Sequence, residues 1–263
     1  MKLEIFELRS GPSSYESLTV EVPPGYKVIS GGGELVSGDI LMAETYPSSA
    51  TSWTTTFVDH SNDGRTGSII AYAIGLYDPL NEWDVVINSD LSSESNHPFA
   101  TSSVPAGYLM SGGGARVTTP VSGFGVILFG SYPTDSNTWM AVANEHYLAG
   151  TGTVQAFSVG IRYKEACEPL HCPIVTEISL EAQHPSVEVE TDQVVIGGGA
   201  YGKPPVIRPD LLDGTILIAT APRDNGAGWI AKAKDHKIAL LTGTVNCYAI
   251  VCPADKAFYV GAA

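Results

Sequence analysis

Charged and apolar residues alternate from the start of the chain. Leu3-Glu4-Ile5-Phe6-Glu7-Leu8 has the period of two expected of a strand with one buried face. Comparable openings occur at Trp83-Asp84-Val85-Val86-Ile87 and Ile174-Val175-Thr176-Glu177-Ile178-Ser179-Leu180. Apolar runs at 40–43, 126–129 and 215–218 are followed by Pro47, Pro133 and Pro222, and proline cannot continue a central ladder. Trp53, Trp139 and Trp229 then open further strands, and closing apolar strands run over 69–76, 154–161 and 245–252. The pattern predicts an all-β chain of about four strands per unit with no helix. It leaves open whether the first strand of each unit pairs within that unit or with a neighbour.

The recurrence is threefold. Gly31-Gly32-Gly33, Gly112-Gly113-Gly114 and Gly197-Gly198-Gly199 each precede an apolar run, a proline and a tryptophan. His60, His146 and His236 lie seven residues beyond the tryptophans, and a Thr-Gly-Ser/Thr step at 66–68, 151–153 and 242–244 opens the closing strand. A fixed period of this kind sets the architecture: one domain over 1–263, built of units at about 1–80, 81–166 and 173–263, with a cysteine-containing linker at 167–172. The turn Val-Pro-x-Gly-Tyr precedes the glycines at 22–26 and 104–108, and Glu190-Thr191-Asp192-Gln193 replaces it in the third unit.

Glycine inside a strand costs stability, so three in a row mark a close approach of backbones. Trp139, Ala141, Ala143 and Trp229, Ala231, Ala233 form a large-then-small face expected to pack inward. The opposite faces, Met140-Val142-Asn144 and Ile230-Lys232-Lys234, grow more polar toward solvent, and Trp53-Thr55-Phe57 breaks the pattern in the first unit. Three roughly four-stranded antiparallel sheets crowding one pseudo-threefold axis make a β-prism. A β-trefoil has repeats about half as long, and a propeller needs more blades.

Composition narrows the function. The 263 residues carry 44% apolar side chains, 28 glycines and 17 prolines, in keeping with many short strands joined by turns. A net charge of −14 disfavours nucleic acid and adsorption to anionic lipid. No run is long enough for a membrane helix, the start has no signal-peptide core, and there is no Asn-x-Ser/Thr sequon. The chain is therefore expected to be intracellular or to have lost a leader. A secreted or otherwise externally delivered protein, with cytoplasmic storage before release, fits the functional readings below.

Of the four cysteines, Cys167 and Cys172 share a turn-rich linker and are the first choice for a disulfide, with Cys252 pairing back to the linker as the alternative. Cys247 and Cys252 lie along one strand, roughly 16 Å apart, beyond disulfide reach. Cys247 takes the repeat position of Ala71 and Ala156 and is expected free and buried.

The tryptophans read first as core anchors and second as platforms for sugar rings. Tyr46, Tyr132, Trp83 and Tyr26, at turns or unit edges, are better ligand candidates. The segments between proline and tryptophan (48–52, 134–138 and 223–228) are rich in Ser, Asp, Asn and Gly. The ligand-binding set is accordingly Tyr46, Ser48, Ser49, Tyr132, Asp135, Asn137, Arg223, Asp224 and Asn225, on loops at one end; the competing reading is solvated turns. His60, His146 and His236 each follow an acid, but their strand parity opposes that of the tryptophans. They read as strand-end residues, with a tris-histidine zinc site as the lesser alternative. No nucleophile elbow, Walker loop or His-Glu-x-x-His occurs, so neither catalysis nor a cofactor is expected.

The threefold Gly-Gly-Gly, proline turn, tryptophan and closing Ala-Tyr-Ala-Ile-Gly strand (71–75, with Cys247-Tyr248-Ala249-Ile250 in unit three) resembles the carboxy-terminal β-prism modules of bacterial membrane-attack-complex/perforin proteins, some of them insecticidal. The pore-forming domain of that family is absent from this sequence. Jacalin-type lectins share the architecture, but their amino-terminal glycine and aspartate-bearing loop do not map onto it. The resemblance implies target recognition: lectin-like binding of a glycan or cell-surface receptor at up to three equivalent sites. The alternative it implies is a toxin or virulence component acting on target membranes, alone or with a partner subunit. A zinc metalloenzyme is a distant third.

Overall fold

A computed structural model describes residues 1–60, 63–119, 125–145, 149–165, 170–203, 215–223, 226–234 and 242–259. Each unit contains six strands. The first has β1 (Lys2–Arg9), β2 (Tyr15–Glu21), β3 (Tyr26–Gly38), β4 (Leu41–Ser49), β5 (Ser52–Val58) and β6 (Gly67–Tyr77). The second has β7 (Trp83–Leu91), β8 (Phe99–Ser103), β9 (Leu109–Thr118), β10 (Val126–Pro133), β11 (Thr138–Glu145) and β12 (Thr153–Tyr163). The third has β13 (Ile174–Ile178), β14 (Ser186–Glu190), β15 (Val194–Lys203), β16 (Ile216–Pro222), β17 (Gly228–Lys234) and β18 (Thr244–Cys252), followed by the two-residue β19 (Phe258–Tyr259). No α-helix occurs among the described residues.

The strands form three antiparallel six-stranded sheets, ordered β14-β17-β16-β3-β6-β1, β2-β5-β4-β9-β12-β7 and β13-β18-β15-β10-β11-β8. The short β19 extends the first of these in parallel beside β1. The three-sheet, pseudo-threefold expectation therefore holds, but four strands per sheet is corrected to six. Every unit gives three strands to one sheet and three to the next. The first strand of each unit pairs with its own closing strand. The strands absent from the sequence reading are β2, β8 and β14, short edge strands whose apolar side chains are sparse. They pair with the tryptophan strands β5, β11 and β17.

Apart from β19 on β1, the ladders of neighbouring units meet at two residue pairs each: Gly33 and Glu34 with Thr220 and Ala219, Ala115 and Arg116 with Thr45 and Glu44, Ala200 and Tyr201 with Ser131 and Gly130. The ladders correct the alignment of the repeats. Gly33, Ala115 and Ala200 all sit opposite the small residues Ala71, Ala156 and Cys247. The first triple glycine is thus displaced by one residue, and Ser30 is the equivalent of Gly112 and Gly197.

Each of the three structurally equivalent positions serves a different purpose. A Cβ on Gly31, Gly113 or Gly198 would enter the ring of Trp53, Trp139 or Trp229. One on Gly32, Gly114 or Gly199 would meet the adjacent unit's backbone at Thr220, Thr45 or Ser131. One on Gly112 or Gly197 would lie 2.5 or 2.6 Å from the Ser30 hydroxyl. At that point all three units touch, and two glycines leave room for one small side chain.

The Ser30 hydroxyl is buried and has no hydrogen-bond partner among the described residues. An unsatisfied buried hydroxyl costs about 1–3 kcal/mol. Ser30→Ala is therefore expected to leave the thermal midpoint unchanged or raise it, and a clear drop in a melting curve would contradict this.

Bulges reinforce the convergence. Registers shift at the equivalent positions Ala43, Phe129 and Ile218 of β4, β10 and β16, and β4 shifts again at Ser48. A bulge re-aims side chains, and Ala43, Phe129 and Ile218 join Leu41, Ile127 and Ile216 in one apolar cluster drawn from all three units.

The tryptophans are core anchors, as expected, at 0%, 1% and 0% exposure. Their indole N–H groups donate to Thr45 Oγ1 (2.9 Å), Ser131 Oγ (3.0 Å) and Thr220 Oγ1 (2.9 Å). The alanine faces of β11 and β17 are buried with them. Lys234, expected toward solvent, is also buried. It reaches from the third unit to Asp39 of the first, which Arg65 also contacts. Burial, then the Arg65 charge, pushes the Lys234 ammonium down to about 8.

The disulfide joins Cys172 to Cys252 across 80 residues, correcting the 167–172 choice; Cys167 lies outside the described residues. The Val251 amide donates to Pro173 O at 2.9 Å, which draws the linker alongside the end of β18. Cys247 is free and buried, as expected.

Candidate functional site

The three hairpins between proline and tryptophan use much of their polar capacity internally. Ser48 and Ser49 Oγ lie 2.9 and 2.7 Å from Ser52 Oγ, and Ser49 Oγ accepts from the Thr51 amide at 3.0 Å. Asp135 Oδ1 accepts from the amides of Asn137 (2.8 Å) and Thr138 (2.9 Å), closing an Asx turn. Arg223 Nε donates to Glu188 Oε1 at 3.0 Å, while Asp224 and Asn225 lie outside the described residues. Each hairpin is also tied down: Thr51 O, Asn137 O and Ala227 O accept from the amides of Val22 (2.9 Å), Val104 (2.9 Å) and Thr191 (3.1 Å). Ser48, Ser49, Asp135 and Asn137 remain exposed at the tips.

Tyr46 and Tyr132 are placed differently. Each precedes its proline by one residue, so it projects from the sheet where two units join instead of from the hairpin tip. Tyr132 stacks on Tyr248 (centroids 5.1 Å, 19°) and packs beside Tyr201 (5.1 Å, 34°), and its hydroxyl reaches Met140 Sδ at 3.1 Å. Tyr46 stacks on Phe157 (5.1 Å, 24°) under the Arg116 guanidinium, which pairs with Glu44 at 3.2 Å. At the third junction Ala221 replaces the tyrosine. Tyr72 is the counterpart of Phe157 and Tyr248 there, and Lys232 pairs with Glu34 at 2.6 Å. One scaffold thus carries three chemically distinct surfaces at its junctions.

The sequence reading missed Phe157, Tyr201 and Tyr248, and also the hydroxyls Thr45, Ser131 and Thr220 that hold the indoles. Both had a signal. Tyr72, Phe157 and Tyr248 stand at the same place in the closing strands, a position that Tyr201 does not share, and a hydroxyl residue stands two before each of Pro47, Pro133 and Pro222.

Tyr26 and Trp83 bind the scaffold together. The Tyr26 hydroxyl donates to Glu4 Oε2 at 2.5 Å, with Phe6 edge-on at 5.1 Å. Trp83 packs on Tyr163, and its carbonyl accepts from Lys27 Nζ at 2.7 Å. Lys27 also pairs with the buried Asp78 at 2.6 Å. Burial alone would raise the Asp78 carboxyl, but Lys27 and the amides of Glu82 and Trp83 outweigh it and hold it below its ordinary value.

Burial, then its tyrosine neighbours, pushes Tyr132 up to about 12. Tyr72 reaches about 12 through burial and then Glu34, and Tyr26 about 12 through its bond to Glu4. These phenols are neutral donors at physiological pH. Each folded-state value lies above the unfolded one, so the folded chain keeps protons that the unfolded chain releases. Their stabilisation is complete below the unfolded pKa and is lost as pH rises through the folded one. Urea midpoints are expected to fall between about pH 10 and about pH 12, more shallowly in Tyr72→Phe and Tyr132→Phe.

His60 is buried one residue past Asp59, whose Oδ2 accepts from the amides of Gly64 (2.9 Å) and Arg65 (3.0 Å). With Tyr15, Glu44, Thr56 and Val126, it lines a cleft of about 160 Å³ between the first and second units. His146 and His236 lie outside the described residues. Among the described residues, no three His, Cys, Asp or Glu side chains converge as metal ligands. No protein-family model matches the chain, and no curated protein matches it.

Proposed function

We propose that this is a non-catalytic recognition protein, lectin-like in binding glycans or other cell-surface ligands through the faces where its units meet. The observation that carries the reading is the half-buried Tyr132–Tyr201–Tyr248 cluster. Three rings held against one another by a rigid sheet offer a pre-ordered apolar surface with phenol donors at its edge. Ligand sites combine these two properties: apolar area for affinity and a few fixed polar groups for orientation. The neighbouring hairpins, with exposed Ser48, Ser49, Asp135 and Asn137, supply secondary polar contacts in this reading. The Cys172–Cys252 bond suits an oxidising compartment and so favours action outside the cytosol.

An immobilised glycan panel tests the proposal. The protein is expected to retain a subset of oligosaccharides. Tyr132→Ala and Tyr248→Ala are expected to weaken that retention about tenfold or more, with far-ultraviolet circular dichroism unchanged. Silence on every glycan ends the reading.

A further inference from the structure

The cleft between the first and second units supports a narrower assignment, which takes its ligand class from the glycan reading above. Its volume of about 160 Å³ is close to the ~150 Å³ that houses one benzene ring inside a protein. Its lining divides by chemistry. Its apolar part includes Ala43, Val58, Val126 and Ile127, and its polar part includes Glu44, Thr56 and His60. Tyr15, which also lines the cleft, is 61% exposed and so stands at its mouth.

Glu44 accepts from Thr56 Oγ1 at Oε2 (2.9 Å) and from Arg116 Nε at Oε1 (3.2 Å). A carboxylate has about four acceptor positions, so each oxygen keeps one. Its charge, meanwhile, is already balanced by Arg116. A balanced carboxylate has little to offer a cation, but it accepts well from neutral hydroxyls. The apolar side chains of the same lining suit the C–H face of such a ligand.

We propose that this cleft binds one ring of a neutral hexose. In this arrangement ring hydroxyls donate to Glu44, the C–H face lies on Val58 and Val126, and the Tyr15 ring covers the opening. The volume admits a single ring, so a longer glycan enters by its terminal residue and leaves past Tyr15.

Ligand-observed NMR with free glucose, galactose and mannose, and with phenol as a ring of similar size, tests this in the intact protein. At least one hexose is expected to bind. Glu44→Gln is expected to weaken it about tenfold, the value of one charge-assisted hydrogen bond. Tyr15→Ala, an exposed substitution that leaves the fold intact, is expected to weaken it as well. Leu180→Ala, at an exposed position of the third unit outside the cleft and the tyrosine cluster, is expected to leave hexose binding unchanged. Hexose binding lost in Tyr132→Ala but kept in Glu44→Gln and Tyr15→Ala would overturn the cleft and support the tyrosine surface. Phenol binding without any hexose would overturn the ligand class. No binding of any hexose would also overturn the cleft, while oligosaccharide retention on the panel would still uphold the tyrosine surface.

Discussion

Gly32→Ala is expected to destabilise the protein by at least about 3 kcal/mol or to prevent folding, the upper range for overpacking where no flexible side chain can yield. The added Cβ would lie under 3.0 Å from the Thr220 carbonyl oxygen, and its next nearest neighbours are also backbone atoms of β16. That strand is held on its far side by β17, so relief requires opening the join between the third and first units. Gly114→Ala and Gly199→Ala meet the equivalent carbonyls and are expected to behave alike. Gly11→Ala is the control: nothing lies within 4 Å, and the change should stay within about 0.5 kcal/mol. In an ordinary strand the same substitution would be favourable by roughly 0.5–1 kcal/mol. The sign of the effect therefore separates a packing glycine from a merely tolerated one.

Trp139→Ala is expected to cost about 3–5 kcal/mol in urea denaturation, because it empties a fully enclosed site. Ser131→Ala should cost less, about 1–3 kcal/mol, by leaving the buried indole N–H without its acceptor. Ser131→Thr should be tolerated, since Thr45 and Thr220 perform the same task in the other units. Equal losses in Ser131→Ala and Ser131→Thr would show that the hydroxyl is not what this position supplies.

Much of the architecture was legible because it rests on short-range chemistry. Proline ends a ladder, tryptophan fills a large volume, and consecutive glycines permit backbone contact, so these residues mark the same places in each unit. Which strands share a sheet was less accessible. β2, β8 and β14 carry few apolar residues, and the two-pair joins between units are long-range contacts with no local signature. The one-residue displacement of the first triple glycine could be seen only from the ladder, because Ser30 fills a position that the other units leave to glycine. The Cys172–Cys252 bond depended on the path of the linker, which spacing alone does not fix.

The candidate site divides in the same way. Tyr46 and Tyr132 stood out beside their prolines. Their partners Phe157, Tyr201 and Tyr248 come from strands remote in sequence and meet them only through the ladders on either side of β9 and β15. The hairpin residues looked like ligand contacts because turn chemistry and sugar-binding chemistry draw on the same side chains. Asp135 illustrates the overlap: one of its carboxylate oxygens already holds two amides of its own turn.

A crystal structure of the protein with the oligosaccharide it retains best on the panel tests the central claim most directly. Sugar density is expected against Tyr132 and Tyr248 or inside the cleft beside Glu44. Density confined to the hairpin tips at 48–52 and 134–138, with both junctions bare, would contradict it.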